Sequence, residues 1–366
     1  MSEQFRRAWS RSRFFRLALG LAILYAVLRL VVHGVYLVTL LSPGNEMGGQ
    51  DVPPVPVDLQ VYLDAARHFQ QREPLYLQGS LESIEYHYPY PPAYALLFVP
   101  FLGWPPLAAS AFHSLVHIAA YGLLYYRWGR IFSRPGFERA RAMLVWTTPV
   151  WLIWTPFWSD LGYLNIYIIL ALLATLLIEA VLDERLGWAV LWLSLILQAK
   201  PMWAFAAAVP LLLGRRRFFL RLVLLSMLVY LAIGGATALL AGPAYVWQQY
   251  GDYVHLLGRL GRDFPWRGPD APFLGYNHSL KQIFAYLWGP SAEVLRLATV
   301  VKVLLLLPLA VVAVRHLRRP LPGTGLDWAF ALYLGAFIWL DVVWELSLGI
   351  AVFTYLLATV ARRGLR

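Results

Sequence analysis

Apolar runs of about 18 residues or more recur along this chain, the length needed to cross a bilayer core of ~30 Å. A soluble domain of 366 residues has too little interior to hide a chain that is 60% hydrophobic and 14% charged. Burial in a membrane fits that composition. The 16 Trp, 21 Tyr and 19 Phe suit aromatic belts at the two interfaces. Cysteine is absent, which excludes disulfides, a thiolate nucleophile and a Cys-ligated metal. The first apolar run, about residues 14–41, is too long for the core of a cleavable signal, and no small-residue cleavage site follows it. It is expected to remain as a span.

A net charge of +11 suggests nucleic acid as a partner until the charges are mapped. The arginines gather in five clusters, at Arg6 to Arg16, Arg127 to Arg141, Arg215 to Arg221, Arg315 to Arg319 and Arg362 to Arg366. Each cluster abuts an apolar run, and acid-rich segments lie between them. This is the positive-inside pattern, so the clusters and both termini are expected on the cytoplasmic side of the plasma membrane. Basic groups separated by spans do not form a nucleic-acid surface. Their natural partner is an anionic lipid leaflet.

The expected organisation is one membrane domain over residues 1–366. Residues 43–106 form a first extracytoplasmic loop with an amphipathic helix and a re-entrant segment, and residues 242–293 form a second. Spans are expected near 14–41, 107–126, 142–158, 164–182, 219–240, 294–314, 325–342 and 345–361. The 28 residues 186–213 are too few for two full crossings of about 20 residues each. Two short helices meeting at Lys200-Pro201 resolve this, because proline favours a break after the residue before it. The sum is about ten crossings or half-crossings, and no inverted repeat is visible.

The loop segments carry the candidate chemistry. Over Leu59 to Gln71, the apolar residues Leu59, Tyr62, Leu63, Ala66 and Phe69 share one helical face, opposite Gln60, Asp64, Arg67 and Gln71. Such a helix can lie on the outer membrane surface. Asp58 then stands at its N-cap, where capping and acid–base catalysis are compatible roles. Tyr86, Tyr88 and Tyr90 alternate with His87 and prolines and offer either flat faces for a sugar or an interfacial belt. Lys200 is a cation inside the membrane. It would pair with a lipid phosphate, snorkel, or pair with Asp341 or Glu345, which form a second carboxylate source. Asn165, Asn277 and His278 are polar groups placed to bind a ligand or to join helices. The histidines are too scattered for a metal site by spacing, and neither metal nor cofactor is expected.

Taken in order, several of these segments resemble one family. Val57-Asp-Leu-Gln-Val-Tyr62 and Tyr88-Pro-Tyr-Pro-Pro92, with the following Ala-Leu-Leu-Phe-Val-Pro-Phe101, look like the first outer loop of the family 87 glycosyltransferases. Gly162-Tyr-Leu-Asn165 is similar to that family's Gly-Gln-x-Asn. Ala199-Lys200-Pro201 with the basic turn ending at Arg217 is similar to its Lys-Pro segment. Asn277-His-Ser-Leu280 is similar to its Asn-Gln-Ser-Leu. The chain departs from the family at Tyr163. It departs again at Val343-Trp344-Glu345-Leu346-Ser347, where a Ser-Trp-x-His-His-like motif often stands.

The resemblance implies an all-α integral membrane protein. It would be a GT-C-like polytopic bundle with about ten transmembrane helices and amphipathic outer-surface (jaw) helices. It implies transfer of a hexose, mannose by preference, from a polyprenyl-phosphate donor to a glycolipid or glycan acceptor on the extracytoplasmic face. Asp58 would be the general base, and the reaction would invert. Lys200, with Arg259 or Arg262, would supply positive charge for the departing phosphate. Tyr62, Tyr88, Tyr90, Asn165, Asn277, His278 and Glu345 would contact substrate. Two other classes fit the same residues: a lipid or solute transporter without covalent chemistry, and a structural subunit that has lost activity.

Overall fold

The computed structural model describes residues 2–40, 55–81, 87–319, 324–344 and 346–363, and among them all regular structure is helical. In chain order the first α-helices are α1 (Ser2–Arg11), α2 (Arg13–Leu40), α3 (Val57–Gln71), α4 (Pro106–Ile131), α5 (Glu138–Trp146), α6 (Thr148–Leu152), α7 (Thr155–Tyr163) and α8 (Tyr167–Leu182). They continue as α9 (Leu186–Ala199), α10 (Val209–Leu212), α11 (Arg216–Ala241), α12 (Pro243–Arg262), α13 (Leu280–Trp288), α14 (Ala292–Arg318), α15 (Gly325–Trp339) and α16 (Gly349–Arg363). Two 3-10 helices, Pro92–Phe101 and Pro201–Ala208, complete the set.

Four of these helices are long and apolar enough to cross a membrane: Arg13–Thr39, Pro106–Ile131, Arg216–Ala241 and Ala292–Arg318. A fifth crossing is possible if Thr148–Tyr163 and Tyr167–Leu182, bent by 118° at their junction, count as one broken span. The other apolar helices, Pro92–Phe101, Leu186–Ala199, Pro201–Leu212, Gly325–Trp339 and Gly349–Val360, have 10–17 residues each. The expected span near 142–158 falls on three short helices, α5, α6 and α7, and that near 164–182 on α8. Pro149 and Pro156 each sit in the first turn of a new helix, α6 and α7, where a missing N–H costs nothing. Leu164 then turns left-handed, at φ 54° and ψ 42°, and ends α7.

The chain divides into two compact units. The first comprises Met1–Gln60, Gly103–Thr175 and Leu346–Arg366. In it Phe15 packs edge-on against Trp146, and Thr147 hydrogen-bonds Thr354 across 3.0 Å. Asp160, 2% exposed, receives the N–H of Tyr167 on Oδ1 at 3.0 Å and that of Ile168 on Oδ2 at 2.9 Å. A carboxylate thereby closes the positive end of α8, satisfying amides that the bend would strip of partners.

The second unit comprises Val61–Leu102 and Leu176–Glu345. The 3-10 helix Pro92–Phe101, expected as a re-entrant segment, packs against α9, α11 and α12. α9 ends at Ala199, Lys200 is extended at φ −133° and ψ 97°, and Pro201 opens the next helix. The broken hairpin read from Lys200-Pro201 is present, for the steric reason given above. The second loop, 242–293, is largely helical: α12 and α13 occupy most of it.

Candidate active site

The helix bearing Asp58 starts at Val57, so Asp58 lies inside its first turn and not before it as expected. Pro56 takes the preceding position, and its carbonyl accepts the Gln60 N–H at 3.0 Å. A carboxylate here still faces the positive end of the helix dipole. Asp58 is half-buried. The apolar stripe behaves as its spacing predicts: Leu59, Tyr62, Leu63, Ala66 and Phe69 are buried, and Arg67 and Gln71 are exposed. The stripe is covered by protein, however, which corrects the picture of a helix resting on lipid. Asp64, on the polar side, pairs with Arg67 at 2.5 Å.

In the second unit the tyrosines turn inward. Tyr62, Tyr88 and Tyr90 are 1%, 3% and 2% exposed. The Tyr62 and Tyr90 hydroxyls are 3.0 Å apart, Tyr88 Oη donates to the Pro91 carbonyl at 2.7 Å, and Tyr76 Oη donates to the Tyr90 carbonyl at 2.7 Å. Tyr90 stacks on Tyr94 at 4.7 Å, and Tyr94 meets Tyr62 edge-on at 5.5 Å. Both expectations for this motif, an open platform for a sugar and an interfacial belt, are corrected by that burial. Prolines at 89, 91 and 92 fix a backbone that folds the rings onto each other. Burial raises the Tyr76 and Tyr88 phenols well above the ordinary tyrosine range, so both stay neutral. Tyr86 lies outside the described residues.

Lys200 meets this cluster. It is 7% exposed, and its Nζ lies 4.9 Å from the centre of the Tyr90 ring. The structure thus brings Lys200, Tyr90 and Tyr62 together. Asp341, one expected partner of Lys200, is taken up elsewhere, and Glu345 lies outside the described residues.

Asp341 receives Lys302 Nζ at 2.5 Å and Lys281 Nζ at 2.8 Å. Lys302 is 1% exposed and also donates to the carbonyls of Trp339 at 3.0 Å and Leu340 at 2.9 Å. Those three acceptors match the three donors of an ammonium. Sequence reading missed Lys302, although the signal was the one that marked Lys200: one lysine interrupting an apolar run. Asn277 stitches its loop to the same strand of chain, accepting the N–H groups of Ser279 and Val343 on Oδ1 and donating Nδ2 to the Asp341 carbonyl, each at 3.0 Å. His278 donates its N–H to the Val343 carbonyl at 2.6 Å and Nδ1 to that of Trp344 at 2.8 Å.

The remaining sequence-derived residues are occupied locally. Arg259 donates to the carbonyls of Leu77 at 3.3 Å and Gly79 at 2.5 Å and so holds the segment after α3. Arg262 is exposed. Asn165, in the first unit, accepts the Ile166 N–H on Oδ1 at 2.7 Å, donates its own N–H to the Asp160 carbonyl at 3.1 Å, and offers its carbonyl to His117 Nε2. Among the described residues no three His, Asp or Glu are grouped so as to hold a metal ion.

Among the described residues all regular structure is helical, and several helices are long and apolar enough to cross a membrane, as in a membrane protein. The sequence model of glycosyltransferase family 87 matches residues 88–341, more than half of the chain, and the chain belongs to that family. It is therefore a membrane glycosyltransferase by family. The match contains Tyr88, Tyr90, Asn165, Lys200, Asn277 and His278, and it begins after Asp58 and Tyr62. No curated protein and no solved structure matches the chain.

Proposed function

We propose that this protein transfers a hexose, mannose by preference, from a polyprenyl-phosphate donor to a glycolipid or glycan acceptor. The observation that carries the proposal is Lys200, a buried cation at the break of an apolar hairpin within the family-matched segment. A fixed charge at membrane depth suits a leaving group that is itself anchored in lipid.

In the proposed reaction Asp58 accepts the proton of the acceptor hydroxyl. That oxygen attacks the anomeric carbon, through an oxocarbenium-like transition state, as the bond to the phosphate oxygen breaks on the opposite side. The bonding pair leaves with the phosphate, and Lys200 stabilises the anion. One displacement inverts the centre, so a β-linked donor gives an α-linked product. Phosphate is a good enough leaving group to need no proton, and the scheme needs no metal or cofactor. The proposal places the reaction on the extracytoplasmic face of the plasma membrane, with both termini cytoplasmic. It adopts a GT-C frame of about ten crossings, with the shorter apolar helices completing the bundle.

The test is product analysis with the purified chain in lipid, given polyprenyl-phosphate mannose and a mannose-accepting glycolipid. Stoichiometric release of polyprenyl phosphate with sugar on the acceptor is the expected result. Movement of the donor across the bilayer without release would sink the proposal and favour a transporter.

A further inference from the structure

In the second unit, residues 263–279, which join α12 to α13, meet the segment after α15 around a cavity of about 210 Å³. Two buried amides build it. Gln282, 1% exposed in the first turn of α13, accepts the Arg267 N–H on Oε1 at 3.2 Å and donates Nε2 to the Arg267 carbonyl at 3.0 Å. Asn277 ties the other end of the loop to Asp341 and Val343, and His278 ties it to Trp344. Stretches of chain distant in sequence are thus held around one space, each by a side chain bonded to backbone.

The lining suits one kind of ligand. Tyr276 and Trp344 stack at 6.1 Å, and with Phe264 they give the cavity aromatic walls. The Arg267 guanidinium lies 4.5 Å from the centre of the Phe273 ring. Gly275 makes room for it: its φ is 87°, and a Cβ there would stand 2.9 Å from Arg267 Cδ and Nε. Among the described residues neither carboxylate nor carbonyl takes that guanidinium, and none with a carboxylate lines the cavity. Its planar fork of donors is open to a ligand's oxygens. A pyranose ring matches both features, with an apolar C–H face for the rings and a rim of hydroxyls for the guanidinium. A bare anion would leave the aromatic walls unused. The space is below the ~300 Å³ at which pockets for drug-sized ligands begin, so it takes one sugar ring and excludes a polyprenyl chain.

Under the proposed reaction the donor's sugar sits beside its phosphate, at Lys200. The cavity shares no residue with the cluster of Lys200, Tyr90 and Tyr62. We infer that it holds a pyranose ring of the acceptor, one other than the ring that receives the hexose. Tyr276 and Trp344 pack against that ring, and Arg267 donates to its hydroxyls. The acceptor role rests on the transfer reading above; the site itself, as a place for a sugar, does not.

The test begins with binding. The full chain is purified in detergent and mixed with mannotriose, and saturation-transfer NMR reads the trisaccharide's ring protons. Wild type transfers saturation to them. Arg267→Gln and Tyr276→Ala each weaken that binding about tenfold, the loss of one charge-assisted contact or one ring contact. Tyr276 is 43% exposed, so truncating it costs little stability and the site remains testable should Arg267→Gln fold poorly. With a glycolipid acceptor carrying three mannoses, Tyr276→Ala raises the acceptor KM about tenfold and leaves the KM for the polyprenyl-phosphate donor as in wild type. Unchanged mannotriose binding in both well-folded variants overturns the inference, as does an unchanged acceptor KM. Displacement of mannotriose by equimolar inorganic phosphate overturns it too, because it assigns the cavity to an anion. Wild type that binds mannotriose through these residues yet releases no polyprenyl phosphate overturns the transfer reading, and the acceptor role with it, and leaves the sugar site standing.

Discussion

The Lys200 ammonium sits 4.9 Å from the centre of the Tyr90 ring, and the Tyr90 hydroxyl sits 3.0 Å from that of Tyr62. A lysine at the break of a hairpin is thereby joined through two rings to the second-unit part of α3. The ring face attracts the cation by its quadrupole.

Replacing Lys200 by Gln or Ala is expected to weaken donor binding about tenfold or more, the loss of one charge-assisted contact to phosphate. Equilibrium binding of polyprenyl phosphate to the purified variants checks this. Binding equal to wild type would remove the phosphate from Lys200.

Asp58→Asn is expected to lower the transfer rate by about 10²–10⁴-fold, the range for loss of a general base. Asparagine keeps the shape but gives up the charge at the helix N-terminus, about 0.3–1 kcal/mol. Thermal unfolding should therefore barely change while activity falls. A transfer rate close to wild type in correctly inserted protein would exclude Asp58 as the base.

Lys302 tests a structural claim. With methionine in its place, Asp341 would keep Lys281 but lose a second cation, and two carbonyls at the end of α15 would lose a donor. We expect a cost of roughly 2–4 kcal/mol, below the full range for broken buried pairs because Asp341 is partly exposed. Denaturation of Lys302→Met, Asp341→Asn and the double variant forms a cycle that isolates the pair. Additive losses would contradict direct coupling.

Tyr76 and Tyr88 make a prediction in alkali. Burial holds both phenols protonated above the point, about pH 10, where they would ionise in the unfolded chain. Above that pH the folded state binds more protons than the unfolded one, so stability is complete below about pH 10 and declines as pH rises further. Tyr88→Phe should flatten that decline in unfolding scans taken across the alkaline range. An unchanged slope would show that Tyr88 is not the group concerned.

Some of these features were readable in the sequence, because the signals were local. Pro201 dictates the extended Lys200 before it, and the 3.6-residue spacing of Leu59, Tyr62, Leu63, Ala66 and Phe69 dictates which face of α3 is buried. The rest depends on contacts distant in sequence. The spacing of Tyr88 and Tyr90 is the same whether the rings face sugar, lipid or one another, and only the packing of Tyr62 and Tyr94 against them decides. Lys302 is recognisable as an anchor only when Asp341, 39 residues on, is seen beside it. The prolines at 149 and 156 were visible, but an apolar run can carry a kinked span or a chain of short helices equally well. Asp160 gave no signal as a cap, since a left-handed turn separates it from the helix it closes.

That last arrangement has a consequence inside a bilayer. The Asp160 carboxylate and the amides of Tyr167 and Ile168 are each poor solutes in hydrocarbon and acceptable only together. The Asp160 carboxylate thus couples the two halves of the bent pair: separating them in hydrocarbon would leave two amides and a carboxylate oxygen pair without these hydrogen bonds.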